Sequence, residues 1–220
     1  MRGAGCKLNI LSDNKIIKQG GIYLRYAFIL LTAVMIFTAR PYTQSVYAVS
    51  ESSEWSSKYI KTAINEGFLD SGMQSGYTEY ITRGDFCEIV YNMLLKWGID
   101  TKISSGVFKD TDSKAVNALH TMGIVNGKSE KYFAPNDSIT REEAATILAR
   151  IAMFMDISGT STGFVFDDDA NISEWARSYV YKMYSCGVMN GMSDGIFAPK
   201  SRYTKEQAIV TIVRLYDIGK

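Results

Sequence analysis

The most regular pattern in the chain is an apolar stripe that follows each of three threonines, Thr82, Thr140 and Thr204. On the C-terminal side of each threonine, apolar residues recur three or four positions apart, a spacing that places them on one face of an α-helix. A threonine just before such a stripe is a typical helix N-cap. Three positions further on stand Asp85, Glu143 and Gln207. The glutamate and the glutamine predict a capping box, and the shorter aspartate predicts a weaker version of it.

A second apolar stripe precedes each of these helices and ends at a glycine. The three stripes run from Trp55 to Gly67, from Val116 to Gly123 and from Trp175 to Gly187. Glycine favours the left-handed backbone with which many helices end. The pattern therefore predicts three helix–loop–helix repeats, at residues 49–101, 102–160 and 161–220. Two short helices cannot bury their apolar faces alone, so we expect the three repeats to pack into one mostly α-helical unit.

The beginning of the chain has a different pattern. Residues 26–39 form an uncharged apolar run of 14 residues, with mostly basic residues before it and the small residue Ala48 after it. This order is typical of a secretory signal peptide, which we place at residues 1–48. As a helix the run spans about 21 Å, less than the roughly 30 Å of a membrane core, so no permanent membrane span is expected.

Charge and composition become informative about function once the predicted signal peptide is left out of the count. The remaining chain has 18 basic and 22 acidic residues, a net charge of −4, which makes a nucleic-acid partner a poor prospect. It keeps two cysteines, Cys87 and Cys186, each within an apolar helical stretch. We interpret them as free core thiols, although an exported protein is also able to form a disulfide between them.

Short motifs connect the two helices of each repeat. In repeat 3 they are Phe166-Asp167-Asp168, Trp175-Ala176, GVMNG at 187–191, DGIFAP at 194–199 and TKEQ at 204–207. Repeat 2 has Phe108-Lys109-Asp110, GIVNG at 123–127, FAP at 133–135 and TREE at 140–143. Repeat 1 keeps Trp55, Gly67 and Thr82-Arg83 but lacks the proline turn. The whole pattern, over about residues 52–217, resembles the S-layer homology family.

The resemblance implies both a fold and a role. Three such repeats imply a pseudo-threefold helical unit at the cell surface. In this family the unit binds secondary cell-wall polysaccharide, a peptidoglycan-linked glycan that often carries pyruvylated sugars, in grooves between neighbouring repeats. The resemblance also ties the basic residue after each threonine to the ligand, here Arg83, Arg141 and Lys205.

The position of these three cations fits an anionic glycan. Each follows a helix N-cap, beside backbone N–H groups that we expect to be free and near the positive end of the helix dipole. Arginine holds a carboxylate with two parallel hydrogen bonds and lysine does not, so we expect Arg83 and Arg141 to bind more strongly than Lys205. The alternative is that all three are exposed residues of a first helical turn that serve solubility.

Two further groups of residues have two interpretations each. Trp55 and Trp175 either stack on a sugar ring or belong to the core, because each begins an apolar stripe. Gly127, Gly191 and Gly195 either let a glycan approach the backbone or serve the turns alone. The four phenylalanines of the motifs, Phe108, Phe133, Phe166 and Phe197, are predicted core residues.

Nothing in the sequence predicts a cofactor or an enzyme. The acidic run Asp167-Asp168-Asp169 lacks the alternating spacing of a calcium loop, and we expect Asp110 and Asp168 to order the start of a first helix instead. His120 is the chain's one histidine, and no metal site is predicted. Two alternatives to a wall anchor remain: a secreted adaptor that binds another envelope protein, and a small wall-glycan hydrolase with paired carboxylates.

Overall fold

The structure is a computed structural model that describes residues 52–99, 106–160 and 163–220. Within these ranges there is no β-strand, and the helices form three pairs in chain order, which confirms the predicted mostly α-helical class. Pair one is α1 (Glu54–Glu66) and α2 (Arg83–Lys96), pair two is α3 (Lys114–Thr121) and α4 (Arg141–Phe154), and pair three is α5 (Glu174–Ser185) and α6 (Lys205–Ile218). Single 3-10 turns lie at Ser71–Met73 and Asp169–Asn171. The predicted signal peptide, residues 1–48, lies outside the described residues.

The three threonines cap the second helix of each pair, as predicted. Each Oγ1 accepts a hydrogen bond from the backbone N–H three residues on, over 3.0 Å at Asp85, 3.4 Å at Glu143 and 3.3 Å at Gln207. The side chains of Glu143 and Gln207 accept in return from the N–H of their cap residue, which confirms both capping boxes. The predicted glycines follow the first helices with positive φ of 80°, 72° and 70°, at Gly67, Gly123 and Gly187.

A closed ring of three backbone hydrogen bonds joins the segments that lead into α2, α4 and α6. The N–H of Ile81 donates to the carbonyl of Tyr203 over 2.9 Å. The N–H of Tyr203 donates to Ile139 over 2.9 Å, and the N–H of Ile139 donates to Ile81 over 3.3 Å. All three side chains are buried. The ring therefore ties the three helix pairs together within the core.

The first two N–H groups of α2, α4 and α6 also bind carbonyls of another helix pair, over 2.8–3.1 Å. In α2, Arg83 donates to Asp137 and Gly84 donates to Pro135. In α4, Arg141 donates to Ser201 and Glu142 donates to Pro199. In α6, Lys205 donates to Glu79 and Glu206 donates to Tyr77. The third N–H binds the cap threonine. The expectation of free N–H groups at these helix starts is therefore wrong, because the groups hold the helix pairs against one another.

Packing between helices follows the same order. The first helix of one pair packs against the second helix of another, as α3 does on α2, α5 on α4 and α1 on α6. Helix α6 also contacts α2 and α4. The contact between α1 and α6 joins the two ends of the described chain. The pseudo-threefold symmetry of the whole unit stays a prediction.

Two aspartates fix the aromatic–proline turns. The carboxylate of Asp110 accepts hydrogen bonds from the N–H groups of Phe133 and Ala134, over 2.9 and 2.7 Å. Asp168 accepts in the same way from Phe197 and Ala198, both over 2.8 Å. The two alanines have φ of 60° and 58°, which L-residues rarely adopt. The hydrogen bond from Phe133 holds the pKa of Asp110 below its usual range. The prediction that these aspartates order a first helix is therefore wrong.

The buried phenylalanines and the cysteines agree with the sequence analysis. The four motif phenylalanines are buried, as predicted: Phe108, Phe133, Phe166 and Phe197. Both cysteines are free thiols, Cys87 buried and Cys186 partly exposed. Burial raises the pKa of the Cys87 thiol to about 12. The interpretation as free thiols is confirmed, and Cys87 is held in its unreactive protonated form.

We expect Asp168→Ala to lower the free energy of unfolding by about 1–3 kcal/mol, because two N–H groups lose a charged acceptor. Asp168→Asn keeps one acceptor oxygen and should lose less. Urea unfolding followed by circular dichroism measures both changes. Asp112→Ala removes an exposed carboxylate and serves as the control. Equal losses for Asp112→Ala and Asp168→Ala would contradict the role of Asp168 in the turn.

Candidate functional site

Two surface cavities lie at equivalent places, each where residues of all three helix pairs meet. The Arg141 groove has a volume of about 510 Å³, and its lining includes Arg141, Gly191, Gln207, Arg214 and Trp55. The Arg83 groove has a volume of about 210 Å³, and its lining includes Arg83, Gly127, Glu143, Arg150 and Trp175. The two sets correspond position by position, so the structure brings together most of the residues that the sequence singled out.

Arg83 and Arg141 form the buried wall of their grooves. They are only 6% and 4% exposed, so the alternative that they are exposed residues serving solubility is wrong. Each donates from Nε to the carbonyl of the aromatic residue of a turn, Arg83 to Phe133 over 3.2 Å and Arg141 to Phe197 over 2.9 Å. The guanidinium groups also lie 4.7 and 4.9 Å from the centroids of these two rings.

A second hydrogen bond ties each arginine to the glycine-containing loop of the same turn. Nη2 of Arg83 donates to the carbonyl of Asn126, and Nη2 of Arg141 donates to Asn190, over 3.2 and 3.0 Å. Burial lowers the pKa of Arg141 from its usual value, but an arginine stays charged in proteins. Each arginine therefore presents a fixed positive charge at the groove wall.

A second arginine in each groove was not predicted from the sequence. Nη1 of Arg150 donates to the carbonyl of Ile124 over 3.0 Å, and Nη1 of Arg214 donates to Val188 over 3.4 Å. Each guanidinium lies 5.4 Å from the centroid of a tyrosine ring, Tyr179 or Tyr59. The sequence does contain a pattern that would have indicated these two residues, because each arginine stands ten residues after a cap threonine, among apolar residues.

The two tryptophans lie at the groove rims. Trp55 and Trp175 are 53% and 54% exposed, so the alternative that they are core residues is wrong.

Carboxylates on α6 and α4 bind the starts of the two helices that carry these tryptophans, α1 and α5. Glu206 accepts from the N–H and hydroxyl of Ser53, and Glu142 accepts from the same groups of Ser173, all over 3.0 Å. These contacts explain why the two serines do not cap their own helices.

The glycines serve the turns first. A Cβ on Gly127 would clash with the carbonyls of Ser129 and Tyr132, and one on Gly191 would clash with those of Ser193 and Ile196. Both glycines line grooves, so their backbone is also open to a ligand. Gly195 lines neither groove. Its φ of 74° and the adjacent Asp167 carboxylate give it a role in the turn.

Lys205 differs from the two arginines. It lines neither groove, and its Nζ donates to the carbonyl of Ser75 over 2.8 Å. The positions around it differ as well. Asn92 stands where the grooves have Arg150 and Arg214, and the buried Ala115 stands where they have a tryptophan. At the described positions, this third interface therefore has neither the tryptophan nor the two guanidinium groups of the grooves.

The acidic run is engaged within the fold. Besides the turn contacts of Asp168, the carboxylate of Asp169 accepts from the Tyr181 hydroxyl over 2.9 Å and lies 3.3 Å from Nε of Arg177. Among the described residues no group of histidine, cysteine, aspartate and glutamate side chains is placed to hold a metal ion. None of the described helices combines the length and apolar character of a membrane span.

Comparison with known proteins identifies the repeated unit. The model of the S-layer homology domain matches residues 107–145 and 165–209. An endoglucanase of Bacillus sp. (strain KSM-635) is 30% identical over 170 residues, 74% of this chain and 18% of the relative. An amylopullulanase of Thermoanaerobacterium thermosulfurigenes is 34% identical over 161 residues, 70% of this chain and 8% of the relative. The surface-layer 125 kDa protein of Lysinibacillus sphaericus is 29% identical over 148 residues, 61% of this chain and 12% of the relative.

We expect Arg141→Ala to lower the free energy of unfolding by about 2–4 kcal/mol, because two backbone carbonyls, one in a buried and one in a partly buried contact, lose a charged donor. Lys205→Ala should change it by less than about 0.5 kcal/mol, since that side chain makes one exposed contact. Urea unfolding of the two variants measures the difference. Similar losses in both would show that the buried position of Arg141 carries no special stability.

Proposed function

Residues 107–145 and 165–209 of this chain belong to the S-layer homology family, and from that premise we propose that the chain anchors a protein to the bacterial cell wall. The anchoring is non-covalent and uses secondary cell-wall polysaccharide as the ligand. The observation that carries the proposal is the recurrence of one groove, with an exposed tryptophan facing two arginines. Export through the predicted signal peptide, residues 1–48, and the division into repeats at 49–101, 102–160 and 161–220 belong to the same proposal.

The chemistry of the grooves suits a sugar that carries a negative charge. The exposed face of an indole packs well against the C–H face of a pyranose ring. A guanidinium group binds a carboxylate with short, charge-assisted hydrogen bonds. A pyruvate ketal on a sugar offers a ring face and a carboxylate together. The pairing of Trp55 with Arg141, and of Trp175 with Arg83, therefore supports an anionic glycan, such as a pyruvylated one, as the ligand.

The relatives support an anchoring role rather than a catalytic one. The matched segment is shared by proteins with unlike names, an endoglucanase, an amylopullulanase and a surface-layer protein. It makes up less than a fifth of the length of each of these relatives. A segment common to such different proteins is expected to carry a role separate from their different activities, and the surface-layer protein among them favours attachment at the cell surface as that role. We therefore assign the activities of the two named enzymes to other parts of those chains.

Sedimentation with cell-wall sacculi tests this function. The purified chain should pellet with native sacculi and stay in solution after the secondary polysaccharide has been extracted with acid. The double variant Trp55→Ala and Trp175→Ala should bind at least about tenfold more weakly, since both exposed stacking surfaces are lost. Both indoles are more than half exposed, so the fold should be retained.

Tyr132→Ala is the matched control, because Tyr132 is an aromatic residue of similar exposure, 52%, that lines neither groove. It should bind sacculi like the unchanged chain. Two results would count against the proposal. One is binding that survives removal of the polysaccharide, which would favour a protein partner in the envelope. The other is an equal loss of binding in the tyrosine variant.

A further inference from the structure

The third boundary, between the start of α6, α2 and α3, keeps the backbone contact of its cation. Nζ of Lys205 donates to the carbonyl of Ser75 over 2.8 Å. Ser75 stands two residues before Tyr77, whose carbonyl accepts from the start of α6 as the carbonyls of the turn prolines accept from α2 and α4. Ser75 therefore corresponds to Phe133 and Phe197, whose carbonyls accept from Nε of the two groove arginines. The lysine keeps this hydrogen bond and a charge, but not the planar fork with which an arginine holds a carboxylate.

Asn92 keeps the backbone contact of the second cation. Its Nδ2 donates to the carbonyl of Phe68 over 3.0 Å, and Phe68 is the residue that follows the glycine at the end of α1. Arg150 and Arg214 donate to the carbonyl at that same position in their own helix pairs. A neutral amide satisfies this carbonyl, so the hydrogen bond does not require a guanidinium. The charges of Arg150 and Arg214 are therefore available to a ligand.

A packed contact replaces the stacking surface of the grooves. The buried Ala115 stands at the position of the tryptophans. On the facing helix, Tyr91 stands nine residues after the cap threonine, where α4 and α6 have an alanine and a valine. Tyr91 is 3% exposed and packs with Ala115 and Ala118. Nζ of Lys114 lies 5.6 Å from the centroid of its ring. The tyrosine therefore fills space between α2 and α3 and offers no open face to a sugar.

The contact at the start of the first helix is also kept, but from a different position. Gly84 stands where the grooves have the glutamate that binds the serine before each tryptophan. Glu88 takes over this contact, and its Oε1 accepts from the hydroxyl of Ser113 over 2.7 Å. Glu88 lies six residues after the cap threonine, where the two grooves are lined by the shorter side chains of Thr146 and Val210. A side chain committed to the fold thus occupies a position that the grooves leave to their lining.

We propose that the chain has two sugar sites, the Arg141 groove and the Arg83 groove, and that the third boundary joins helix pairs without binding a sugar. The inference rests on the proposed function and adds how many sugars one chain holds and where. The third boundary keeps the contacts of the fold but has a buried alanine for the exposed indole, and a lysine and an amide for the two guanidinium groups. The charge of Lys205 alone is a weak attraction, because an exposed cation is well solvated.

Titration with a single repeating unit of the secondary polysaccharide tests the number of sites. The unit is prepared by enzymatic digestion, so that acid-labile substituents remain, and isothermal titration calorimetry gives the number of units bound per chain. In the ¹⁵N-labelled chain, the indole N–H signals of Trp55 and Trp175 report the two grooves, and the side-chain amide of Asn92 reports the third boundary. Trp97 lines neither groove, and its ring stacks on Tyr216 at 5.7 Å, so its signal is an internal reference.

We expect two units to bind per chain, with shifts of the signals of Trp55 and Trp175 and no shift at Asn92. Trp55→Ala and Trp175→Ala should each remove one unit and leave the Kd of the other groove within about twofold of its original value. Lys205→Ala should keep both units, with both Kd values unchanged within about twofold. Its side chain makes one exposed contact, so the fold should be retained, which circular dichroism verifies for each variant.

The number of units and the place of the shifts decide the outcome. A third bound unit, a shift at Asn92, a lost unit in Lys205→Ala or a response at only one of the two groove tryptophans overturns the two-site inference and leaves wall binding in place. The same holds if the chain pellets with native sacculi while neither groove tryptophan responds. A chain that neither responds nor pellets overturns the inference together with the proposed function.

Discussion

The backbone N–H groups at a helix start have no acceptor within their own helix, and in this protein another helix pair supplies one. The first two N–H groups of α2, α4 and α6 donate to carbonyls of a different pair, and the third donates to the cap threonine. The ring through Ile81, Ile139 and Tyr203 adds one further backbone hydrogen bond between each two of the three pairs. Each pair therefore needs the others to satisfy its polar groups. Folding of one pair alone would leave those groups without partners, so we expect the three to form cooperatively.

This constraint also places the candidate site. The residue at the start of each second helix is held against another pair, so its side chain projects into the boundary between pairs. At two boundaries that residue is an arginine with two backbone carbonyls as partners. A guanidinium fixed in this way loses little side-chain entropy when it meets a ligand. The backbone contacts that join the pairs thus place Arg83 and Arg141 at the boundaries, and the side-chain hydrogen bonds fix both guanidinium groups for the proposed ligand.

The sequence predicted the features that depend on local pattern. Threonine caps, capping boxes, C-terminal glycines and buried phenylalanines all follow from residues a few positions apart. The features that depend on distant partners were missed or misread. The helix-start N–H groups were expected to be free because their acceptors lie about 50–130 residues away along the chain. Trp55 was left undecided because its helix packs on α6, at the other end of the chain. Arg150 and Arg214 were overlooked because the sequence does not show that a cation within an apolar stripe faces a groove formed with another helix pair.

The residues that hold the fold and those that differ between the boundaries are largely separate. All three boundaries keep the cap threonine, the ring and the paired N–H contacts. The side chains facing the boundaries vary around this constant backbone. Arg150 and Arg214 have Asn92 as their counterpart, and the two tryptophans have Ala115. Because backbone hydrogen bonds join the pairs at every boundary, the third boundary keeps the helical frame with a lysine in place of the arginine and an alanine in place of the tryptophan. Three copies of one unit can therefore keep a single fold while the side chains that face their boundaries differ.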